Sequence, residues 1–166
     1  MNRGFTLVEI LIAVLIMGIL VTMAVPMYEK TIEKSRIAEV RANLRRIYDA
    51  KMRLLDDMEK TKYVAKLFGF ENLDFSFDCS LGEETDGHMI GCKSKDFGYS
   101  LLPSGTGNQN KVCAMRLSGD YKGVNFLFGE RSGAPGTVEL LCYDNGNDGA
   151  CDVFGMESVG SEAWCK

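Results

Sequence analysis

The stretch RGFTLVEILIAVLIMGILVTMAVPM, residues 3–27, decides how the rest of the chain is read. A single acidic residue, Glu9, interrupts an apolar run over residues 5–25, and residues 10–25 carry no charge at all. At about 1.5 Å per residue, a helix over residues 5–27 reaches roughly 34 Å, enough to cross a bilayer core. The run therefore predicts a transmembrane helix. A carboxylate costs roughly 3 kcal/mol or more in hydrocarbon, so Glu9 demands a partner or a purpose. The rival reading is a cleaved secretory signal, with Thr22-Met23-Ala24 as a small-residue cleavage site and Pro26 behind it. Glu9 counts against that reading, because a disposable signal gains nothing from a charge in its apolar stretch.

Working outward, the 166 residues carry a net charge of −4, and six cysteines, Cys79, Cys92, Cys113, Cys142, Cys151 and Cys165, all lie beyond the span. With the span set aside, about 138 residues remain, enough for one compact domain. No pair of cysteines has the Cys-x-x-Cys spacing of zinc or thioredoxin-like sites, so disulfides in an oxidising compartment are expected over reduced core thiols. Their connectivity stays open. Arg3 argues for a cytoplasmic N-terminus, while Lys30, Lys34 and Arg36 pull the other way by the positive-inside rule; the cysteines place the C-terminal part outside. No nucleic-acid footprint is expected, since basic residues mix with acidic ones along one helix. Lys30, Lys34, Arg36, Arg41, Arg45 and Arg46 read as solvated.

The helical pattern continues without a glycine from Tyr28 towards Gly69. Ile37, Val40, Leu44, Ile47, Leu54 and Met58 recur at three- and four-residue steps, with Lys51 breaking the stripe. A coiled-coil seam would need more unbroken heptads, so packing of this amphipathic helix on a sheet is expected. If it is continuous with the span, the rod runs for roughly 90 Å. Pro26, inside the pattern, removes a backbone hydrogen bond and is expected to kink or loosen it.

Beyond Gly69 the pattern turns to glycine-rich alternation. Residues 97–102, 111–118, 123–128 and 137–143 read as strands, the last three fitting an antiparallel meander. Residues 70–96 read as a long connection that Cys79 and Cys92 would pin, and the tail over residues 144–166 as a second tethered loop. Within it, Asp144, Asp148 and Asp152 resemble the start of a calcium loop, but Gly146 and Gly155 occupy ligand positions, so a plain turn is favoured and no metal is expected. His88 is the only histidine and no nucleophile, phosphate-loop or metal motif accompanies it, so neither an enzyme nor a cofactor is expected.

The opening Arg3-Gly4-Phe5-Thr6-Leu7-Val8-Glu9 resembles the processing signal of type IV prepilins and type II secretion pseudopilins. The resemblance is specific over about the first 30 residues and architectural thereafter. It implies an α+β, type IV pilin-like fold: a long N-terminal helix, membrane half plus amphipathic half, packed on a small antiparallel, disulfide-stabilised sheet. It also implies a division into a leader (1–4), a transmembrane or filament-core helix (5–28) and a head outside the membrane (29–166). The head would comprise the amphipathic helix (29–66), a loop (69–96), the sheet (97–143) and a C-terminal loop (144–166). A prepilin peptidase would cut after Gly4 and methylate the new amine of Phe5, leaving Glu9 fifth in the mature chain. Pro26 matches the family's helix-loosening proline.

Under that resemblance, Glu9 of one subunit would neutralise the Phe5 amine of its neighbour in a helical filament. The alternative is that Glu9 snorkels to the headgroups. Implied partners are copies of the same chain, the peptidase, an inner-membrane assembly platform with its ATPase, and the bilayer before assembly. The location implied is the bacterial inner membrane before assembly, with the N-terminus cytoplasmic, and the pilus, cell surface or periplasm afterwards. Two readings compete with a pilus subunit: a type II secretion pseudopilin, and a monomeric, membrane-anchored binding domain.

Overall fold

The computed structural model describes residues 6–59, 69–76, 78–81, 91–101, 111–131 and 134–160. One helix, α1 (Leu7–Glu59), joins the apolar run to the amphipathic stretch and continues through Pro26. Its 53 residues extend about 80 Å, and the expected continuation to residue 66 lies outside the described residues. Over its first half none of the described residues covers it. The large apolar side chains there are exposed by 49% (Val25) to 77% (Leu7).

The second half of α1 packs on a six-stranded sheet. The strands are β1 (Ser80–Leu81), β2 (Cys92–Lys93), β3 (Phe97–Ser100), β4 (Lys111–Arg116), β5 (Asn125–Arg131) and β6 (Ala134–Tyr143). They neighbour one another in chain order and every pair is antiparallel, so the whole sheet is a meander. Two corrections follow. The stretch expected as a long connection holds a 3-10 turn (Phe70–Asn72) and the two-residue strands β1 and β2. Strands that short are invisible to period-2 reading, and here a Cys79–Cys92 disulfide ties them together. β6 also starts earlier than expected, at Ala134; Pro135 is tolerated because β6 is an edge strand, where a missing N–H costs no ladder bond.

Alternation sorts the sheet into two faces. Phe97 and Tyr99 of β3, Val112 and Ala114 of β4, Phe126 and Phe128 of β5 and Cys142 of β6 form the core with Ile37, Val40, Leu44 and Ile47 of α1. The Tyr48 and Phe128 rings meet edge to face at 5.4 Å, the arrangement that aromatic quadrupoles favour. On the opposite face Cys113, Met115, Leu127 and Tyr143 form a smaller buried cluster. The short helix α2 (Ala150–Val153) closes the open end of the core. Phe154 after it packs on Tyr121 and Phe126, and the Cys142–Cys151 disulfide joins it to β6.

Lys51 does not break the apolar stripe; it belongs to it. The side chain is fully buried, and its Nζ donates to the Lys111 carbonyl at 2.7 Å. A long aliphatic stem fills the step between Ile47 and Leu54 while the ammonium reaches the end of β4. Burial pushes its pKa down to about 8.

Candidate functional site

The start of α1 carries the residue that opened the question. Thr6 is the N-cap and Glu9 stands three residues on. Glu9 N–H donates to Thr6 Oγ1 at 3.3 Å, while Thr6 N–H and Thr6 Oγ1 donate to Glu9 Oε2 at 2.9 and 2.8 Å. This is a capping box: each side chain satisfies a backbone amide that a helix start would otherwise leave open. Glu9 therefore has a local partner as well as the favourable helix N-terminal dipole, which lessens the cost of its place in the apolar run. Only Oε2 is used. Oε1 accepts no hydrogen bond from the described residues.

Sequence reading that treats Glu9 only as an unpartnered charge misses Thr6, although Thr-x-x-Glu before an apolar run is itself a helix-start signature. Gly4 and Phe5, at the expected processing point, lie outside the described residues. Pro26 sits one turn after Thr22, whose Oγ1 donates to the Ile19 carbonyl at 2.7 Å. With no N–H, Pro26 cannot complete the helical bond to the Thr22 carbonyl.

That geometry sits in a segment with known counterparts. Residues 1–25 match the prokaryotic N-terminal methylation motif. The prepilin resemblance of the N-terminus is thereby shown. The chain is also similar to the type IV major pilin protein PilA of Myxococcus xanthus (strain DK1622). The identity is 36% over 69 residues, covering 42% of this chain and 31% of that protein. The match thus spans about a third of the relative's length. No solved structure matches the chain.

Where α1 leaves the head, a set of charges fixes it to the sheet. Arg116, 3% exposed in its side chain, places Nη2 3.2 Å from Glu33 Oε1 and Nη1 3.3 Å from Asp96 Oδ1. Its guanidinium also lies over the Phe97 ring at 5.0 Å. Arg36 pairs with Glu33 and sits 3.8 Å from Asp96. Two arginines and two carboxylates balance one another, which is the condition for burying charge at modest cost. Arg36 is thus not simply solvated, and neither is Arg46, which lies over the Phe75 ring at 5.1 Å. Lys30, Lys34, Arg41 and Arg45 are exposed.

The acidic tail positions separate. Asp144 Oδ1 accepts from the Cys151 N–H at 2.8 Å, pinning the loop, while Asp148 and Asp152 are exposed. The side-chain amides of Asn145 and Asn147 donate to the Gly123 and Asp120 carbonyls at 3.0 and 2.7 Å, locking this loop to the β4–β5 turn. Gly123 adopts φ +92°, and a Cβ there would press on the Asn145 amide at 3.2 Å. Cys113 is also disulfide-bonded. Cys165 and His88 lie outside the described residues.

Proposed function

We propose that this chain is a structural subunit of a type IV pilus-like filament, processed by a prepilin peptidase and polymerised through its N-terminal helix. The observation that carries the reading is the Thr6–Glu9 capping box at the head of a helix half whose apolar side chains are bare. An apolar surface of that length is covered either by lipid or by other copies of itself. Before assembly the bilayer covers it; after assembly neighbouring helices do.

Cleavage after Gly4 creates the Phe5 amine, and methylation keeps it cationic. Glu9 Oε1 of an incoming subunit accepts that amine from its neighbour while Oε2 remains held by its own Thr6. A carboxylate fixed at its helix start makes the contact directional, and a head-to-tail contact that does not close into a ring propagates as a helix. The resemblance brings with it the peptidase, an assembly platform with its ATPase in the inner membrane, and an N-terminus on the cytoplasmic side. Similarity to a major pilin supports a pilus subunit over a secretion pseudopilin.

Intact-mass spectrometry of the protein isolated from its host tests the processing step. A chain beginning at a methylated Phe5 is expected; retained Met1, or cleavage after Ala24, overturns the reading. Electron microscopy of a Glu9→Ala strain tests the assembly step. Loss of filaments with normal subunit levels is expected, and filaments of ordinary number and length remove Glu9 from assembly.

A further inference from the structure

The sheet face turned away from α1 is buried, although no described helix or strand lies over it. Cys113, Leu127 and Leu141 form one row across β4, β5 and β6, and Met115, Asn125 and Tyr143 form the next. Direct cross-strand partners share a face. Cys113 and Asn125 are wholly buried, and Leu127, Tyr143 and Met115 are only 2%, 6% and 7% exposed. A bare face would leave such side chains open to water. Yet the buried side chains of α1 and α2, with Phe70 and Phe154, belong to the core on the inner face.

The bonding of Cys113 points to the cover. It is disulfide-bonded, and the Cys79–Cys92 and Cys142–Cys151 bridges use four of the other five cysteines, which leaves Cys165 as its partner within the chain. Cys113 has no exposed surface, so its sulfur does not reach a second molecule. The path of the chain agrees. Ser158 bridges Cys142 in parallel, and the Val159 N–H donates to the Cys142 carbonyl at 3.0 Å, so the chain runs along the free edge of β6 towards Gly160. From that edge β4 lies about 14 Å away, at the usual spacing between strands. The chain from Gly160 to Cys165 spans up to about 17 Å when extended.

We infer that residues 161–165 cross the outer face of the sheet as a clamp, with Cys165 bonded to Cys113 and Trp164 seated over β5 as the lid of a second core. The reach leaves little slack, so the path runs directly over β6 and β5. Trp164, next to the bonded cysteine, then falls above Asn125 and Leu127. Both suit an indole. Leu127 and the neighbouring Met115 supply apolar contact. The Asn125 amide is buried, and neither its oxygen nor its nitrogen has a hydrogen-bond partner among the described residues. A buried indole N–H seeks an acceptor, and Asn125 Oδ1 offers one. The bond closes residues 113–165 into a covalent ring with the Cys142–Cys151 ring inside it, which ties the last three strands and the tail together at both ends.

The clamp does not depend on the filament reading and is tested apart from it. Detergent-solubilised full-length protein is alkylated without reduction, digested with trypsin and a glutamate-specific protease, and mapped by mass spectrometry before and after reduction. A disulfide-linked pair of the peptides Val112–Arg116 and Ala163–Lys166 is expected, and it separates on reduction. Alkylated Cys113 or Cys165, or Cys113 linked to any other peptide, overturns the bond. Trp164 is the only tryptophan, so its fluorescence reports the lid by itself. Acrylamide is expected to quench it several-fold more weakly than it quenches N-acetyltryptophanamide in the same detergent. Equal quenching of the two overturns the seat over β5.

Discussion

Arg116 and Glu33 stand 83 residues apart in the chain, and their side chains meet at 3.2 Å in the interior. Through this contact the end of β4 grips α1 at the point where the helix leaves the head. Before Glu33 the apolar side chains of the helix are bare; after it one face of the helix is buried in the core.

Removing one partner of that contact deprives the other of a buried counterion, although Glu33 keeps Arg36 and Arg116 keeps Asp96. Arg116→Ala is expected to lower stability by about 3–5 kcal/mol, and the double variant with Glu33→Ala by less than the sum of the singles. Urea unfolding monitored by near-UV circular dichroism on all four proteins reads the coupling directly. A strictly additive double variant would show that the pair is incidental.

Lys51 links stability to alkaline pH. Its folded pKa of about 8 lies below the ordinary lysine value of 10.5, so between those values the unfolded chain binds more protons than the folded one. Stability contributed at this site is lowest below pH 8 and recovers as pH rises towards 10. Tyr48 and Tyr99, whose pKa values burial pushes up, act in the opposite sense only above about pH 10, so the comparison stops there. The unfolding free energy of the wild type minus that of Lys51→Met is expected to rise across pH 8–10; a flat difference contradicts the burial account.

At the helix start, Thr6→Val keeps the shape of the side chain and deletes its hydroxyl. Loss of an N-cap costs about 1 kcal/mol in ordinary helices, and here it also frees the Glu9 carboxylate to rotate. Fewer filaments are expected at equal subunit levels, with Thr6→Ser close to wild type. Counting filaments by electron microscopy separates the hydroxyl's role from that of side-chain volume.

The Cys142–Cys151 bridge closes a short loop across the end of the core, with a sequence separation of 9. Loop-closure entropy for that length is about 2–3 kcal/mol. The Cys142→Ser/Cys151→Ser double variant is therefore expected to melt several degrees lower by calorimetry, with Phe154 loosened from Tyr121 and Phe126. An unchanged melting temperature would mean that the aromatic contacts alone hold α2.

What could be read in advance followed from one-dimensional regularities. The apolar run, the amphipathic stripe from Ile37 to Leu44 and Ile47, and the alternation in β3 to β6 are repeats of fixed period, and each produced an element of the expected type. β1 and β2 escaped because two residues make no period, and a disulfide stands in for strand length. Lys51 escaped because a charged residue scores as an interruption, although its stem is aliphatic and its ammonium donates to the Lys111 carbonyl. Thr6 was legible as half of a capping pair, yet a search for what neutralises Glu9 looks outward to other chains rather than three residues back.

The sequence by itself determined that the chain opens with a prepilin-type motif, that a membrane-length helix follows, and that a cysteine-closed α+β head comes after it. Those are properties of composition and period, which need no partner distant in the chain. Only the tertiary structure decided which charges face one another. Glu33, written in the chain beside Lys30 and Lys34, turns instead to Arg116 on the sheet. Glu39 and Arg46 are left facing Lys93 and Asp78 across an open groove. Electrostatic pairing depends on distance and burial, and neither quantity exists until the sheet has closed on the helix.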